Sequence, residues 1–255
     1  MRIIVCAKLV GSLPGPAVLL ADASDVDPLF TTQRLNEADE HAMEAALRLS
    51  ETRGEAEVVA MTVGPERASE GLRRCLAMGA NRALRIWNAG LQAHDPIAVA
   101  RALAQTIRDE SATLILCGAQ SSDAAHQATG PALASALGLP CVTLATSIEL
   151  CTDREVAIIR REPGGGVVEV VEVDLPAVVT VQTGGLTPRT GSFKAAMMAK
   201  KTVIPLLDPG PGDRPEMQVL GVSKSQSPRT QLEWLDGDPA EVAARIAELM
   251  REAHR

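Results

Sequence analysis

TLILCGAQSSDAAHQATGPALASALG, residues 113–138, decides the fold. Residues 113–118 are apolar on both faces, as a strand buried in a parallel sheet must be. A polar connection follows, and 124–137 then read as a helix stopped by Gly138. A strand that turns through small residues into a helix is one half of a βαβ unit.

Working outward, the same alternation recurs. Strand-length apolar runs occur at 3–7 (IIVCA), 57–63 (EVVAMTV), 82–87 (RALRIW) and 140–145 (PCVTLA). Between them, 37–50 place Ala42, Ala45, Ala46 and Leu49 on one stripe, with Asn36 at the capping position. Residues 66–78 predict a second helix ended by Gly79, and Asp95-Pro96 opens a third with a cap and a proline. Such alternation predicts an α/β fold: a doubly wound, mostly parallel sheet with helices on both faces.

After residue 150 the pattern changes. Two strands, 154–161 and 167–173, flank Pro163-Gly164-Gly165-Gly166 and read as a hairpin, and AVVTVQ (177–182) is a further strand. Residues 208–230 are rich in Pro, Gly, Ser and charge, the composition of a linker or extended arm. Asp238-Pro239-Ala240-Glu241 then starts a short helix with the stripe Val242, Ile246, Leu249, Met250. A helix this short needs something to pack on, either its own domain or a partner. We therefore expect an α/β domain over 1–205 and an arm with a terminal helix over 206–255.

Composition narrows the function classes. The chain has 255 residues, 46% hydrophobic and 2% aromatic, with a formal net charge of −7, which argues against a general nucleic-acid binder. Cys6, Cys75, Cys117, Cys141 and Cys151 are dispersed, with no C-x-x-C pair, and read as free thiols in a reducing compartment. The four histidines show no ligand spacing, so no metal site is expected. The N-terminus opens directly on a strand too short and β-branched for a secretory signal, and no apolar run approaches the ~20 residues of a membrane span. These features predict a soluble, cytoplasmic protein.

No catalytic constellation stands out. Ser121 and Ser122 lie near His126, but no G-x-S-x-G elbow accompanies them. Nor is there a Walker A sequence or G-x-G-x-x-G. What remains is a binding site at strand ends. Gly118, Ala119, Gln120, Ser121, Ser122 and Asp123, then Ala124, Ala125, His126, Gln127, Ala128 and Thr129, lead into a helix whose first N–H groups favour an anion. The same stretch is also compatible with an ordinary polar connection. Cys6-Ala7-Lys8 and Val63-Gly64 end the first two strands of the α/β pattern, and in a doubly wound sheet all three ends converge on one crevice. Lys8 either faces a phosphate there or is simply solvated.

Six stretches in order resemble the β subunit of electron-transfer flavoprotein. They are LNEADEHAMEAALRL (35–49), VGPERASEGLRRCLAMGANRALRI (63–86), DPIAVARAL (95–103), GAQSSDAAHQATGPALASALGLP (118–140), REPGGG (161–166) with LPAVVTV (175–181), and PRTGSFKAAMMAKK (188–201). The resemblance implies a non-catalytic electron-carrier subunit paired with an α subunit that holds the redox-active FAD. It implies electrons arriving from a flavoprotein dehydrogenase and leaving to a quinone oxidoreductase or another acceptor. It also implies an AMP in this chain, or a second FAD in electron-bifurcating relatives, and an arm embracing the α subunit.

By position, the nucleotide contacts would be Cys6, Asn36, Glu37, Ala38, Asp39, Val63 and the residues from Gly118 to Thr129, with Ala7, Lys8 and Gly64 beside them. Gly191 and Ser192 are residues typical of a loop, and the resemblance makes this stretch a recognition loop in which Phe193 would stand where the family anchors a leucine in the dehydrogenase, flanked by Lys194, Met197, Lys200 and Lys201. The residues themselves also allow Phe193 to fold back into the core. Leu13 and Ala38 stand where relatives tend to carry aromatics, and Ala125 where they carry a second acid. The loop lacks the D-G-D-T-A-Q pattern associated with bifurcation, which favours AMP. A stand-alone nucleotide-binding module is the remaining alternative.

Overall fold

The computed structural model describes residues 1–54, 56–91, 93–151, 153–210, 217, 219–224 and 234–253. In chain order the elements are β1 Arg2–Cys6, β2 Leu9–Ser12, β3 Thr32–Leu35, α1 Glu37–Arg53, β4 Glu57–Val63, α2 Ser69–Met78, β5 Arg82–Ile86, α3 Pro96–Glu110, β6 Leu114–Gly118, α4 Thr129–Leu137, β7 Cys141–Leu150, β8 Val156–Gly164, β9 Val167–Asp174, β10 Ala177–Val181, α5 Phe193–Lys201, β11 Leu206–Leu207 and α6 Pro239–Ala253. Two compact units result, 1–222 and 223–255.

The first unit carries the sheet, in the order β11-β5-β4-β1-β6-β10-β7-β8-β9. Strands β11 to β7 run parallel, and β7-β8-β9 continue antiparallel. From β1 the chain winds outward through β4 to β5, then returns to β6 on the other side of β1. The order therefore reverses between β1 and β6, the switch point at which a doubly wound sheet leaves a crevice outside the carboxyl ends of its strands.

Both sheet faces are covered. Ile3, Val5, Met43, Ala46, Leu72, Leu114 and Leu116 pack on one side, and Ile4, Met61, Leu103, Ile107, Ile115 and Leu133 on the other. The side chains of β1 alternate between the two layers, as period-2 geometry demands. With so few aromatics, branched aliphatics and methionines fill the interior.

Three caps follow the sequence reading. Asp95 accepts from Ile97 N at 2.8 Å and Ala98 N at 3.3 Å, and Gly79 (φ 131°) and Gly138 (φ 70°) close α2 and α4. In the second unit, Asp238 accepts from Ala240 N at 2.8 Å and Glu241 N at 3.0 Å, starting α6.

Several boundaries differ from the reading. Residues 66–68 form a 3-10 turn, and α2 proper begins at Ser69. The helix expected from 124 starts at Thr129, because Ala125 (φ 51°) and Gln127 (φ 54°) take left-handed backbone conformations that a right-handed helix excludes. The two-stranded sheet β2-β3 and the edge strand β11 had no counterpart in the reading. Residues 193–201 are helix rather than loop. Phe-Lys-Ala-Ala-Met-Met-Ala-Lys-Lys consists mainly of good helix formers, and Ser192 caps it by accepting from Ala195 N at 3.1 Å. Much of the 208–230 arm, namely 211–216, 218 and 225–230, lies outside the described residues.

Among the described residues, no helix is long and apolar enough to cross a membrane.

Candidate functional site

The crevice is built on the first turn of α1. Asn36 precedes the helix, and its side chain caps nothing there. Instead, Asn36 Nδ2 donates to the Gln120 carbonyl at 2.9 Å, and Asn36 Oδ1 accepts from Ser122 N at 3.1 Å. One amide thus clamps the loop after β6 from both sides. The expected capping role is displaced because the cross-loop bonds use both ends of the side chain.

Asp39, one turn on, is buried and bridges the two central strands. Its Oδ2 accepts from Lys8 N at 2.7 Å, and its Oδ1 accepts from Gly118 N at 2.9 Å. Burial pushes the Asp39 carboxyl up to about 7. The N–H groups of Lys8 and Gly118, the Asn36 side chain and the Lys8 charge pull the other way. Gly118 has no room for a side chain: a Cβ would meet Asp39 Oδ1 and come within 2.9 Å of the Ala38 carbonyl carbon.

Lys8 reaches across the crevice mouth. Its Nζ lies 2.7 Å from Asp123 Oδ1 and 3.3 Å from Ser121 Oγ. Burial acts to raise the Asp123 carboxyl, but the bonds from Lys8 and Ser121 outweigh it and hold the group below the usual carboxylate range. Cys6 and Cys117 sit side by side in register beneath this point, both buried.

Beyond Asp123 the loop turns outward. Residues 122–127 are exposed, and Gln127 Nε2 donates to Gln120 Oε1 at 2.9 Å. The left-handed Gln127 is followed by the right-handed Ala128, a backbone alternation of the kind that can cup an anion. It leads into the start of α4, where Ala128 supplies no side-chain cap. Gly130 lets this helix lie against Thr180 of β10.

Most of the residues read as cofactor contacts therefore converge. Cys6, Ala7, Lys8, Asn36, Asp39 and Gly118 to Asp123 form one cluster. Ala38 is buried behind Gly118, whereas Glu37 points to solvent. Val63 and Gly64 end β4, the strand flanking β1 on the far side from β6. The arrangement offers a cation, backbone N–H groups and polar amides, a set suited to holding a phosphorylated ligand.

A second region is the α5 helix. Phe193 opens it and is 83% exposed, with Met197, Met198 and Lys194, Lys200 and Lys201 also at the surface. Reading the sequence missed what holds this helix. Glu44, buried on α1, accepts from Arg189 N at 3.0 Å, Arg189 Nε at 2.8 Å, Arg189 Nη2 at 3.1 Å and Arg48 Nε at 2.7 Å. Burial favours its neutral form, yet these arginines bring the carboxyl down to about 2. An acid beside Met43 and Ala45 in a buried stretch was a legible hint, but Arg189 lies 145 positions away.

Comparison with known proteins places this architecture. Residues 30–210 match the family described as "Electron transfer flavoprotein domain", a span that takes in the crevice loop and α5. The chain belongs to the electron transfer flavoprotein β-subunit family. It is 37% identical over 200 residues to the electron transfer flavoprotein subunit beta of Methylophilus methylotrophus, covering 78% of this chain and 76% of that one. It is 34% identical to the mitochondrial electron transfer flavoprotein subunit beta of Oryza sativa subsp. japonica, covering 88% and 89%, and 33% identical to the electron transfer flavoprotein subunit beta of Bacillus subtilis, covering 85% of each. Its role is that of an electron transfer flavoprotein β subunit, in electron transport.

Proposed function

We propose that this β chain binds AMP in the β1/β6 crevice and pairs with an α subunit carrying FAD. Reduced flavin on a dehydrogenase is then oxidised as the α-bound FAD is reduced, and a quinone oxidoreductase or another acceptor reoxidises that FAD. In this reading the segment from residue 206 onward, ending in α6, serves the α-subunit contact, and α5 serves the dehydrogenase contact.

The observation that carries the nucleotide assignment is that the loop after β6, at the switch point, takes Lys8 on Asp123 and runs through the left-handed Gln127 into the uncapped start of α4. An incoming phosphate would exchange with Asp123 for the Lys8 amine. AMP carries no redox group, so in this reading the nucleotide serves structure and electron transport depends on the partner's flavin.

Calorimetric titration of the nucleotide-stripped heterodimer with AMP tests this. One equivalent should bind to the wild type, and Lys8→Gln should weaken binding about tenfold, the loss of one charge-assisted contact. Equal affinity in the two proteins would remove Lys8 and the phosphate pose from the account.

A further inference from the structure

Cys6 and Cys117 form a thiol pair at the centre of the sheet. Cys6 is the last residue of β1, and Cys117 the last but one of β6. The two are in-register partners on neighbouring parallel strands. Both side chains enter the layer that holds Ile4, Ile115 and Leu133, so they leave the sheet from one face. They stand side by side at one strand spacing, about 4.8 Å. The Cys117 thiol is hydrogen-bonded to Cys6, and this bond, then burial, pushes it up. Cys117 therefore keeps its proton, and Cys6 is the thiol left to act as nucleophile. Cys75 lies on α2, and Cys141 and Cys151 lie at opposite ends of β7, so none of them completes a similar pair.

The pair forms the floor of the crevice. Gly118 follows Cys117 directly, Lys8 stands two residues beyond Cys6, and the N–H groups of both bind Asp39. The start of α4 lies over the pair: a Cβ at Gly130 would stand 3.9 Å from that of Cys117. A nearby cation and a helix start are surroundings that favour a thiolate. Cys6 is 8% exposed and Cys117 3%, so an oxidant entering the crevice meets Cys6 first.

We propose that Cys6 and Cys117 are a reversible oxidation site on the floor of the nucleotide crevice, with a peroxide as the oxidant. The Cys6 thiolate attacks one peroxide oxygen, the O–O bond breaks, and hydroxide leaves a sulfenic acid on Cys6. Cys117 gives its proton to that hydroxide, and its sulfur attacks the Cys6 sulfur. The S–O bond breaks, and the departing hydroxide takes up the proton that Cys6 first released. Two thiols and one peroxide thus become one disulfide and two waters. The strand spacing of about 4.8 Å lies within the range of about 4.4–6.8 Å that a disulfide spans between Cα atoms. Its Cβ atoms need to approach to about 3.8 Å, so closure draws the two strand ends together and leaves a strained, easily reduced bond. Closure also displaces Lys8 and Gly118, which frame the crevice. The oxidised form should therefore hold nucleotide less tightly, and bound nucleotide should shield Cys6. This coupling rests on the reading of the crevice as an AMP site, whereas the disulfide itself does not.

The test treats the nucleotide-stripped αβ heterodimer, its flavin oxidised, with hydrogen peroxide, and reads this chain by intact mass and peptide mapping. The wild type should lose two hydrogens and give a Cys6–Cys117 cross-linked peptide, and dithiothreitol should restore both thiols. Cys117→Ser should form no cross-link and should accumulate higher oxides on Cys6 instead. Saturating AMP should slow cross-linking, and the oxidised protein should bind AMP about tenfold more weakly than the reduced one. Oxidation confined to Cys141 or Cys151, with Cys6 and Cys117 still thiols, overturns the site. An unchanged AMP affinity after cross-linking overturns the coupling. Failure of the reduced heterodimer to bind AMP overturns the nucleotide reading alone, because the cross-link is scored without nucleotide.

Discussion

Asp39 and Glu44 stand five residues apart on α1, both buried, and differ in what satisfies them. Asp39 is held chiefly by the backbone N–H groups of Lys8 and Gly118, and its carboxyl is pushed up to about 7 by burial. Glu44 is held by two arginines and sits at about 2 despite its burial. Fixed dipoles satisfy hydrogen-bond geometry without fully offsetting the desolvation of a charge, whereas guanidinium groups do both. One helix thus braces both candidate surfaces. Its first turn ties the two strands that frame the crevice, and its next turn ties the segment leading into α5.

The comparison breaks first at Asp39. Asp39→Ala leaves two N–H groups without their acceptor and should destabilise the chain by about 2–4 kcal/mol, since each orphaned buried group costs about 1–3 kcal/mol. Glu44→Ala should cost less, about 1–2 kcal/mol, because Arg189 and Arg48 are partly solvated and Arg189 keeps Glu51. Glu51 is itself exposed, and Arg189 keeps Glu44, so Glu51→Gln should cost under about 0.5 kcal/mol. Denaturant midpoints rank the three, and a larger loss for Glu51→Gln than for Asp39→Ala would contradict the assigned roles.

The two carboxylates should also oppose each other in pH. The folded-state pKa of Asp39 lies above its ordinary value of 3.8, so the folded chain binds the extra proton between about 4 and 7. Its contribution is greatest below 3.8 and is lost as pH rises through about 7. Glu44 has its pKa lowered from 4.5, so its contribution is full above 4.5 and is lost as pH falls through about 2. Stability measured from pH 4 to 7 should therefore decline less steeply in Asp39→Asn than in wild type. An unchanged slope would assign the decline to other groups.

Much of this was legible in the sequence, for reasons visible in particular residues. The apolar runs at 3–7, 57–63 and 113–118 became β1, β4 and β6, because strands buried on both faces leave few alternatives. Asp95-Pro96 and Gly138 marked helix ends by local chemistry alone. The insertion of β10 between β6 and β7 was not legible, since strand order depends on pairing between distant segments. The crevice residues were found through strand ends and the family resemblance, yet the duties of Asn36 and Asp39 were not. Both bond across more than 75 positions, Asp39 to the last residue of β6 and Asn36 to the loop after it. The α5 helix was misread as loop because Gly191 and Ser192 drew attention from the helix formers that follow, although Ser192 is itself the cap.

The central claim is that the β1/β6 crevice holds a nucleotide without a redox role. Denaturing release from the purified heterodimer, followed by mass identification of what comes off, tests it most directly. The account predicts one AMP and one FAD per heterodimer. Two FAD and no AMP would contradict it and make the loop from Gly118 to Thr129 part of a redox site.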